Sequence, residues 1–318
     1  MKKIKILITA PLYHIKDQKK LLLKNFKCTF VDHNNHRLIN DLLKKQDGWI
    51  CSPSPKKKIS EINYPNIKFL NFISTPSTGT THISDELKYR PNLKILSLSM
   101  TKKINSIKAS SEYTFSIGLA LIKKIVPAIK HVHNGHWRDV EEKLRSEEID
   151  KKVIGIIGFG RIGKNLSKYS KIFGMENIIY DPNIQLNGYN RIENLNKIKL
   201  KSDIIFVCAN FTKKNINFID KNFFSKLKKK PYFINTSRGE LVEENALLYA
   251  LKKKKIKGAA IDVIKGEQNL NLKKNKLVLY SKKNENLLIT PHIAGLTPQS
   301  EAKAMNISIE LIKKYFKK

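Results

Sequence analysis

The chain has 318 residues, of which 41% are hydrophobic, and a formal net charge of +34 at pH 7. This length suits two globular domains, each with a hydrophobic core of its own. No apolar run reaches the roughly 20 residues that a membrane-spanning helix needs, and the lysine-interrupted start is typical of a first strand rather than a signal peptide. We therefore expect a cytoplasmic protein without a membrane segment.

The positive charge comes mostly from lysines that are spread along the whole chain. Nucleic-acid-binding proteins usually concentrate their basic residues on one face or along one element. The distribution therefore favours a solvated lysine surface over a nucleic-acid site, although the charge can still attract anionic substrates. A nucleic-acid-binding protein would be retained on DNA in a salt-sensitive way.

The cysteines argue against a disulfide framework and against a zinc site. Cys28, Cys51 and Cys208 are odd in number, widely separated and without CxxC spacing. This usage is typical of a reducing cytoplasm.

Short strand candidates alternate with helical patterns through the first hundred residues. Such alternation predicts a parallel sheet with helices on both faces. A longer helical stretch, Ser110–Lys130, follows. The strand candidates of this part are Ile4–Thr9, Cys28–Asp32, Gly48–Cys51, Ile67–Ile73 and Lys94–Ser97.

The second half opens on a glycine-rich turn, within the stretch KKVIGIIGFGRIGKNL. Gly158, Gly160 and Gly163 lie where the apolar strand candidate Val153–Ile157 passes into a helical pattern, which is the context that a dinucleotide-binding turn requires. The first glycine permits the tight turn, the second lets the backbone approach a pyrophosphate, and the third lets helix and strand pack closely.

Two further features support a dinucleotide site. The N–H groups at the start of the helix, near Arg161 and Ile162, would face the phosphates. Asp181 follows the strand candidate Asn177–Tyr180, where a carboxylate accepts hydrogen bonds from ribose hydroxyls and repels a 2′-phosphate. The pattern therefore favours NAD over NADP.

The strand candidates after residue 150 have the number expected of a complete dinucleotide-binding sheet. They are Val153–Ile157, Asn177–Tyr180, Ile204–Ala209, Tyr232–Asn235, Ala259–Asp262 and Leu287–Thr290. The final helical pattern, Glu301–Phe316, follows the last strand and has no further sheet to cover. We expect it to pack on the first domain and leave a cleft between the two domains.

Three ionisable residues follow strand candidates of the second half. Arg238, Glu267 and His292 each stand after a different strand, and function in open α/β sheets lies at the carboxyl ends of strands. A base paired with a carboxylate, together with an arginine for an anionic substrate, suits proton and hydride transfer. Taken singly, each residue also fits an ordinary structural or solvated role.

Six sequence blocks together show a family resemblance. They are STPSTGTTHIS from Ser74, SSEYTF from Ser110, the block Gly155–Gly163, INTSRGELVEENAL from Ile234, GAAIDVIKGE from Gly258 and TPHIAGLT from Thr290. Over nearly its whole length the chain resembles the D-isomer-specific 2-hydroxyacid dehydrogenases, and most of all their phosphoglycerate dehydrogenase-like branch.

The resemblance implies a fold and an activity. Residues 1–100 with 293–318 would form a flavodoxin-like, substrate-binding domain, and residues 101–292 a Rossmann domain that binds NAD. Both would be doubly wound parallel-sheet domains. The enzyme would interconvert a D-2-hydroxyacid and its 2-keto acid by hydride transfer.

The resemblance also implies roles for the three ionisable residues. Arg238 would bind the substrate carboxylate and carbonyl, because its planar fork matches that geometry. His292 would give or take the hydroxyl proton. Glu267 would hold the imidazole and favour its protonated form.

Further positions are implied to contact substrate or cofactor. Asp262 would bind the nicotinamide carboxamide, and backbone groups of Ser77, Thr78 and Gly79 would hold the substrate carboxylate, with Thr78 near the cofactor. The other cofactor contacts implied are Asn210, Thr236, Ser237 and Gly295.

Two departures from the family pattern concern the cofactor and substrate pockets. Asn210 stands where many members carry a proline, and Gln268 follows Glu267 where a proline is usual soon after the glutamate. The substrate is therefore left open among 3-phosphoglycerate, hydroxypyruvate, glyoxylate and other short acids.

The alternative function is a non-catalytic NAD-sensing protein of the same fold, similar to a corepressor.

The segment HVHNGHW raises the question of a metal site. His131, His133 and His136 follow a helix end rather than one helical face, and no cysteine or nearby carboxylate completes a ligand set, so we predict no metal.

In the family this segment belongs to an arm that joins two subunits. Trp137 and the preceding apolar helix fit such an interface, and we expect a homodimer formed through residues 110–145.

Overall fold

The computed structural model describes residues 3–183, 195–267 and 270–316. The chain divides into two compact units, Met1–Ile107 with Leu296–Lys318 and Lys108–Gly295. None of the described helices is both long enough and apolar enough to cross a membrane.

The first unit contains a parallel sheet of five strands among its described residues, in the order β2-β1-β3-β4-β5. Its strands are β1 Lys5–Ile8, β2 Lys27–Phe30, β3 Gly48–Ile50, β4 Phe72–Thr75 and β5 Lys94–Ser97. Its helices are α1 Lys16–Asn25, α2 His36–Leu43, α3 Asp85–Lys88 and α12 Pro298–Phe316.

The core of this unit lies on both faces of the sheet. On one face, Met305, Ile309 and Ile312 of α12 pack with residues of β1, β3, β4 and β5. Gly48 of β3 leaves room for the Phe72 ring of β4, because a Cβ at position 48 would lie 2.1 Å from that ring. The position and direction of β4 matter for function, because the chain leaves its carboxyl end toward residues 77–79.

The predicted strand Ile67–Ile73 was wrong over its first part. Pro65–Phe69 forms a 3-10 helix, and β4 begins only at Phe72. Pro65 lies in the first turn, where its fixed φ favours a helical start and its missing N–H costs nothing. Ile67 is fully buried as a helical residue, and a short apolar run does not distinguish that role from a strand.

The second unit contains a parallel sheet of six strands among its described residues, in the order β11-β10-β9-β8-β6-β7. Its strands are β6 Val153–Ile157, β7 Glu176–Tyr180, β8 Ile204–Val207, β9 Tyr232–Asn235, β10 Gly258–Ile261 and β11 Leu287–Ile289. Its helices are α4 Ala109–Ile122, α5 Ile125–His133, α6 Glu141–Leu144, α7 Arg161–Ile172, α8 Leu195–Lys201, α9 Lys221–Ser225, α10 Glu244–Lys252 and α11 Lys276–Ser281.

The order of these strands places a topological switch point beside β6. From β6 the chain first adds β7 on one side and later adds β8 on the other. Ligands of open α/β sheets bind at such a point, beyond the carboxyl ends of the strands. The prediction of two parallel-sheet α/β domains, the second of Rossmann type, is confirmed.

The predicted helical stretch Ser110–Lys130 is divided into two helices in the structure. Helix α4 ends at Ile122, Lys124 has a left-handed φ of 53°, and α5 begins at Ile125. Pro127 explains the break, since a proline inside a continuous helix removes a hydrogen bond and its ring clashes with the carbonyl four residues earlier.

Candidate active site

The glycine turn after β6 has a backbone that only glycine suits. Gly158 has a φ of +95°, its N–H donates to the Tyr180 carbonyl at 2.8 Å, and a Cβ there would lie 2.5 Å from the Ala209 nitrogen. At Gly163 a Cβ would lie 2.2 Å from the Gly158 carbonyl oxygen. These close approaches bring the start of α7 against β6.

Gly160, by contrast, faces open space. No atom lies within 4 Å of the position that its Cβ would occupy, and as the N-cap of α7 it has no side chain to cap the helix. Arg161 and Ile162, the first residues of α7, are half-buried. The turn therefore has room for a pyrophosphate at the helix start, so these residues fit a bound dinucleotide.

Asp181 lies at the carboxyl end of β7 and is only 9% exposed. Its Oδ2 accepts a hydrogen bond from the Phe159 N–H at 2.8 Å and its Oδ1 one from the Asn183 N–H at 2.9 Å. The carboxylate is thus fixed beside the glycine turn, and its remaining lone pairs can accept ribose hydroxyls. Its negative charge suits NAD rather than a dinucleotide with a 2′-phosphate.

Arg238 follows β9 and precedes the 3-10 helix Gly239–Leu241. Its Nη1 donates to the Ser237 carbonyl at 2.6 Å, and its own carbonyl accepts from Asn235 Nδ2 at 3.0 Å. Burial lowers the pKa of Arg238, while Glu267 and a neighbouring acid act to raise it. The guanidinium stays charged, because arginine does not lose its proton in proteins.

A close backbone approach brings the loops of Arg238 and Glu267 together. A Cβ at Gly239 would lie 2.2 Å from the carbonyl carbon of Ile264, so only glycine lets the two loops touch. Glu240 and Glu244 hold the facing loop, with their carboxylates accepting from the N–H groups of Gly266 at 3.4 Å and Lys265 at 3.1 Å.

His292 and Glu267 form a hydrogen-bonded pair. His292 Nδ1 lies 2.5 Å from Glu267 Oε2, and Glu267 Oε1 accepts from the Ile264 N–H at 3.3 Å. The two side chains are 40% and 34% exposed, so a substrate can reach the pair. When Nδ1–H donates to the carboxylate, Nε2 is left to exchange a proton with a substrate oxygen.

Asp262, expected to contact the cofactor, anchors the loop that carries His292. It is 1% exposed, and its Oδ1 accepts from Thr290 Oγ1 at 2.6 Å and from the Ile293 N–H at 3.0 Å. Its Oδ2 accepts from the Ala294 N–H at 2.8 Å, and its carbonyl accepts from the His292 N–H at 2.8 Å. Asp262 therefore fixes the backbone on both sides of His292 through its carboxylate and His292 itself through its carbonyl.

Thr236 and Ser237 are also committed to contacts within the protein. Ser237 Oγ donates to the Val207 carbonyl at 3.0 Å. Thr114 Oγ1 donates to the Ser110 carbonyl at 2.5 Å and lies 2.6 Å from Thr236 Oγ1. Since the single hydrogen of Thr114 is already used, Thr236 donates to it and can only accept from a ligand.

Asn210 and Gly295, the other two residues expected to contact the cofactor, have few protein atoms near their side-chain positions. Asn210 is exposed, and its carbonyl accepts from Asn215 Nδ2 at 2.8 Å. A Cβ at Gly295 would meet only Ser110 Oγ, at 3.4 Å. Gln268, the departure noted after Glu267, lies outside the described residues.

Ser77, Thr78 and Gly79 lie in the first unit, directly after β4. Ser77 Oγ donates to the Gly79 carbonyl at 2.7 Å, and Thr78 is exposed. In the part of the chain that the structure describes, the N–H groups of these three residues donate to no protein acceptor. Consecutive N–H groups of this kind suit a carboxylate.

Sequence reasoning missed the residues that support the site rather than form it. Asn235, Glu240, Glu244 and Thr290 all stand within the sequence blocks that show the resemblance. The glutamates that follow Arg238 in RGELVEE could have indicated these supporting residues. Their hydrogen bonds to the N–H groups of Lys265 and Gly266 cannot be predicted from the sequence, because that loop is more than 20 residues away.

The histidines at the end of α5 and just after it have other partners. His131 Nε2 lies 3.6 Å from Glu285 Oε1, and His136 Nδ1 lies 2.8 Å from Asp139 Oδ2. Among the described residues, no group of three side chains is arranged to hold a metal ion.

Comparison with known proteins identifies the family of the second unit. Residues 115–294 match the family model for the NAD binding domain of the D-isomer specific 2-hydroxyacid dehydrogenases. NAD is therefore the cofactor of the matched domain, in agreement with the fit of the glycine turn and Asp181.

Individual relatives extend the similarity to nearly the whole chain. A D-3-phosphoglycerate dehydrogenase of Methanocaldococcus jannaschii is 28% identical over 316 residues, which are 98% of this chain but 57% of that protein. A glyoxylate reductase of Thermofilum pendens is 31% identical over 275 residues, 84% of this chain and 77% of the relative. The chain thus spans little more than half the length of the first of these relatives.

A solved structure shows the same fold. The D-lactate dehydrogenase of Aquifex aeolicus, complexed with NAD and lactic acid, is 25% identical and superposes with a TM-score of 0.77. The match covers 98% of this chain and 95% of that protein. The chain belongs to the D-isomer specific 2-hydroxyacid dehydrogenase family.

Proposed function

We propose that this protein is an NAD-dependent oxidoreductase that interconverts a D-2-hydroxyacid and its 2-keto acid. The observation that carries the proposal is the hydrogen bond between His292 Nδ1 and Glu267 Oε2, at 2.5 Å and accessible to solvent. Arg238 lies close enough for Glu267 to influence its pKa. An acid–base group and a cation for an anionic substrate thus occur together.

In the reductive direction, His292 donates the Nε2 proton to the carbonyl oxygen of the 2-keto acid. NADH would be held by the glycine turn and Asp181, and when bound it would supply the hydride for the carbonyl carbon. Glu267 stabilises the imidazolium before the transfer, and Arg238 holds the substrate carboxylate and polarises the carbonyl. In the reverse direction neutral His292 takes the hydroxyl proton, so one residue serves as acid and base.

The backbone of residues 77–79 is proposed to bind the carboxylate of the substrate. Its three N–H groups donate to no acceptor in the described part of the chain, and the loop follows the carboxyl end of β4. Backbone N–H groups are donors without acceptor capacity, which suits an anionic group.

We further propose a short acid with a second anionic group, such as 3-phosphoglycerate. Lys56–Lys58, all exposed, follow β3, and β3 pairs in parallel with β4. In the chain, Lys56–Lys58 thus follow the carboxyl end of β3, and residues 77–79 follow that of its neighbour β4. Burial lowers the pKa of His36, and Lys57 and Lys56 lower it further, which indicates a concentration of positive charge there.

A second copy of the chain is proposed to cover an apolar face of the second unit. The face consists of large side chains that are 46% to 74% exposed. They are Ile125, Val126, Ile129 and Val132 of α5, together with Trp137. A two-fold dimer would pair this face with itself and remove it from water.

The test of catalysis is NADH oxidation with a panel of 2-keto acids, including phosphohydroxypyruvate. We expect turnover of at least one acid, a loss of about 10²- to 10⁴-fold in kcat for His292→Ala, and unchanged NADH binding. His133→Ala, an exposed histidine outside the site, is the matched control and should retain full activity.

Two results would contradict the proposal. If NADH binds and no acid of the panel is turned over, a non-catalytic NAD sensor becomes the better interpretation. If NADH does not bind to the folded protein, the interpretation of the glycine turn is wrong as well.

A further inference from the structure

Behind residues 77–79, side chains of the first unit form a continuous hydrogen-bond chain. Thr75, the fully buried last residue of β4, places its Oγ1 2.9 Å from Ser77 Oγ and 3.0 Å from His82 Nε2. Ser77 Oγ in turn lies 2.7 Å from the Gly79 carbonyl oxygen. His82 is 5% exposed, so the chain runs from the interior of the unit to its surface.

The direction of each hydrogen bond follows from the number of hydrogens available. A carbonyl oxygen only accepts, so Ser77 donates its single hydrogen to Gly79. Ser77 must then accept from Thr75, and Thr75, whose hydrogen is used, must accept from His82. His82 Nε2 therefore carries a hydrogen whether the imidazole is neutral or charged.

Cys51 is the other neighbour of the His82 nitrogen. Its Sγ lies 3.9 Å from Nε2, and burial raises the pKa of the thiol to about 12. The thiol is thus neutral and a weak acceptor, so the Thr75 hydroxyl is the better partner for the Nε2 hydrogen. Cys51 and Thr75 are both fully buried, and this end of the chain is closed to water.

We propose that His82 is a positioning residue for substrate binding. Its buried N–H orients the Thr75 hydroxyl, which orients Ser77, which engages the Gly79 carbonyl. The Gly79 carbonyl oxygen would repel a substrate carboxylate if it turned toward it. The hydrogen bond from Ser77 Oγ holds that oxygen within the protein. The inference rests on the proposed binding of the substrate carboxylate by the N–H groups of residues 77–79.

The N–H donor of His82 is removed by His82→Leu, and the hydroxyl of Thr75 by Thr75→Val. In both variants Ser77 loses its fixed donor, and we expect the KM for the 2-keto acid to rise about fivefold to tenfold, the effect of one lost hydrogen bond. The kcat and the KM for NADH should stay within twofold of the wild type, because the cofactor site and His292 are untouched.

Conservative variants and a matched control separate positioning from general damage. His82→Gln retains an N–H donor and Thr75→Ser retains a hydroxyl, so both should recover most of the lost affinity. Ser74→Ala is the control, because Ser74 is as buried as its neighbour Thr75 and its Oγ has no partner among the described residues. Its KM should not change.

The proposal is overturned if folded His82→Leu and Thr75→Val proteins keep the wild-type KM, or if Ser74→Ala raises KM equally. A measurement without turnover covers the case of poor folding. The ¹⁵N spectrum of the wild-type protein, with His82 assigned by comparison with His82→Gln, should show a hydrogen on Nε2. A neutral tautomer with its hydrogen only on Nδ1 overturns the inference.

The spectrum also distinguishes the two proposals. If no keto acid is turned over but Nε2 carries the hydrogen, the hydrogen-bond chain stands and the proposed reaction is at fault. Calorimetry with oxalate, a small dicarboxylate, then decides whether the chain positions an anion-binding loop. Equal oxalate affinity of wild type and Thr75→Val would overturn the positioning role.

Discussion

His292 adopts a backbone conformation that residues other than glycine seldom adopt. Its φ of 56° lies in the left-handed region, which costs a non-glycine residue of the order of 1–3 kcal/mol. Four hydrogen bonds from the loop to Asp262, from Thr290 Oγ1 and from the N–H groups of residues 292–294, hold this conformation. The strain is therefore located where the proposed acid–base residue must be held in one position.

Gly239→Ala tests the contact between the loop of Arg238 and the loop of Glu267. Its Cβ would lie 2.2 Å from the carbonyl carbon of Ile264, so the loop that leads to Glu267 must move. We expect a loss of about 1–3 kcal/mol in the free energy of unfolding and a fall of roughly 10²-fold in kcat. Urea unfolding and NADH oxidation measure the two effects.

Gly135→Ala is the control for this variant. Gly135 also resists substitution, with a φ of +83°, but nothing lies within 4 Å of its Cβ position and it is far from Arg238 in sequence. Its alanine variant should lose some stability and keep kcat. A Gly239→Ala protein with normal kcat would show that the loop contact does not position Arg238 and Glu267.

At the scale of elements, Glu147 joins the amino ends of three central strands. Its carboxylate accepts from Lys152 Nζ at 2.7 Å before β6, from Lys257 Nζ at 2.5 Å before β10, and from the Tyr232 hydroxyl at 3.1 Å in β9. Burial acts to raise the pKa of Glu147, but hydrogen bonds and charges of the two lysines outweigh it and lower the pKa to about 2.

This shift makes stability depend on pH. Because the folded-state pKa lies below the ordinary value of 4.5, the carboxylate stabilises the fold above about pH 4.5 and loses that contribution as the pH falls toward 2. Allowing for screening by solvent, Glu147→Gln should lower the free energy of unfolding by about 1–2 kcal/mol at pH 7. The difference from wild type should shrink at pH 3.

Urea unfolding at pH 7, 5 and 3 measures this difference. Glu148→Gln removes the same charge from an exposed neighbour and should leave the free energy of unfolding nearly unchanged. A Glu147→Gln protein that is destabilised equally at all three pH values would contradict an electrostatic role.

At the scale of the whole molecule, the apolar face of α5 and Trp137 decides the oligomeric state. A glutamate at Ile129, which is 51% exposed, would have to be desolvated in the proposed dimer. We expect Ile129→Glu to convert a dimer into a monomer in light-scattering measurements, with NADH binding retained.

Lys130→Glu is the control for the change of charge. Lys130 is the exposed neighbour of Ile129, and Lys130→Glu changes the net charge more than Ile129→Glu does. If burial of the apolar face holds the dimer together, the Lys130→Glu protein should remain a dimer. A wild-type protein that is monomeric at micromolar concentration would contradict the proposed assembly.

The fold class and most of the strands could be predicted from the amino-acid sequence. The strand predictions for β5, β6 and β9 match the structure residue for residue, because each strand has apolar residues at its centre. The predictions failed where the local pattern was ambiguous. A strand was expected where Pro65–Phe69 forms a 3-10 helix, and the break between two helices near Lys124 was not expected. The glycine turn was predictable because its residues are consecutive and each has a steric reason.

Arg238, Glu267 and His292 could also be predicted from the sequence, but the contacts that hold them depend on the three-dimensional fold. The approach of Gly239 to Ile264 joins positions 25 residues apart, and the hydrogen bonds of Asp262 reach a loop about 30 residues later. The chain of hydrogen bonds from His82 also depends on which hydroxyl lies within reach of which nitrogen. Such contacts depend on loop paths and side-chain directions, and no local pattern of residues specifies these.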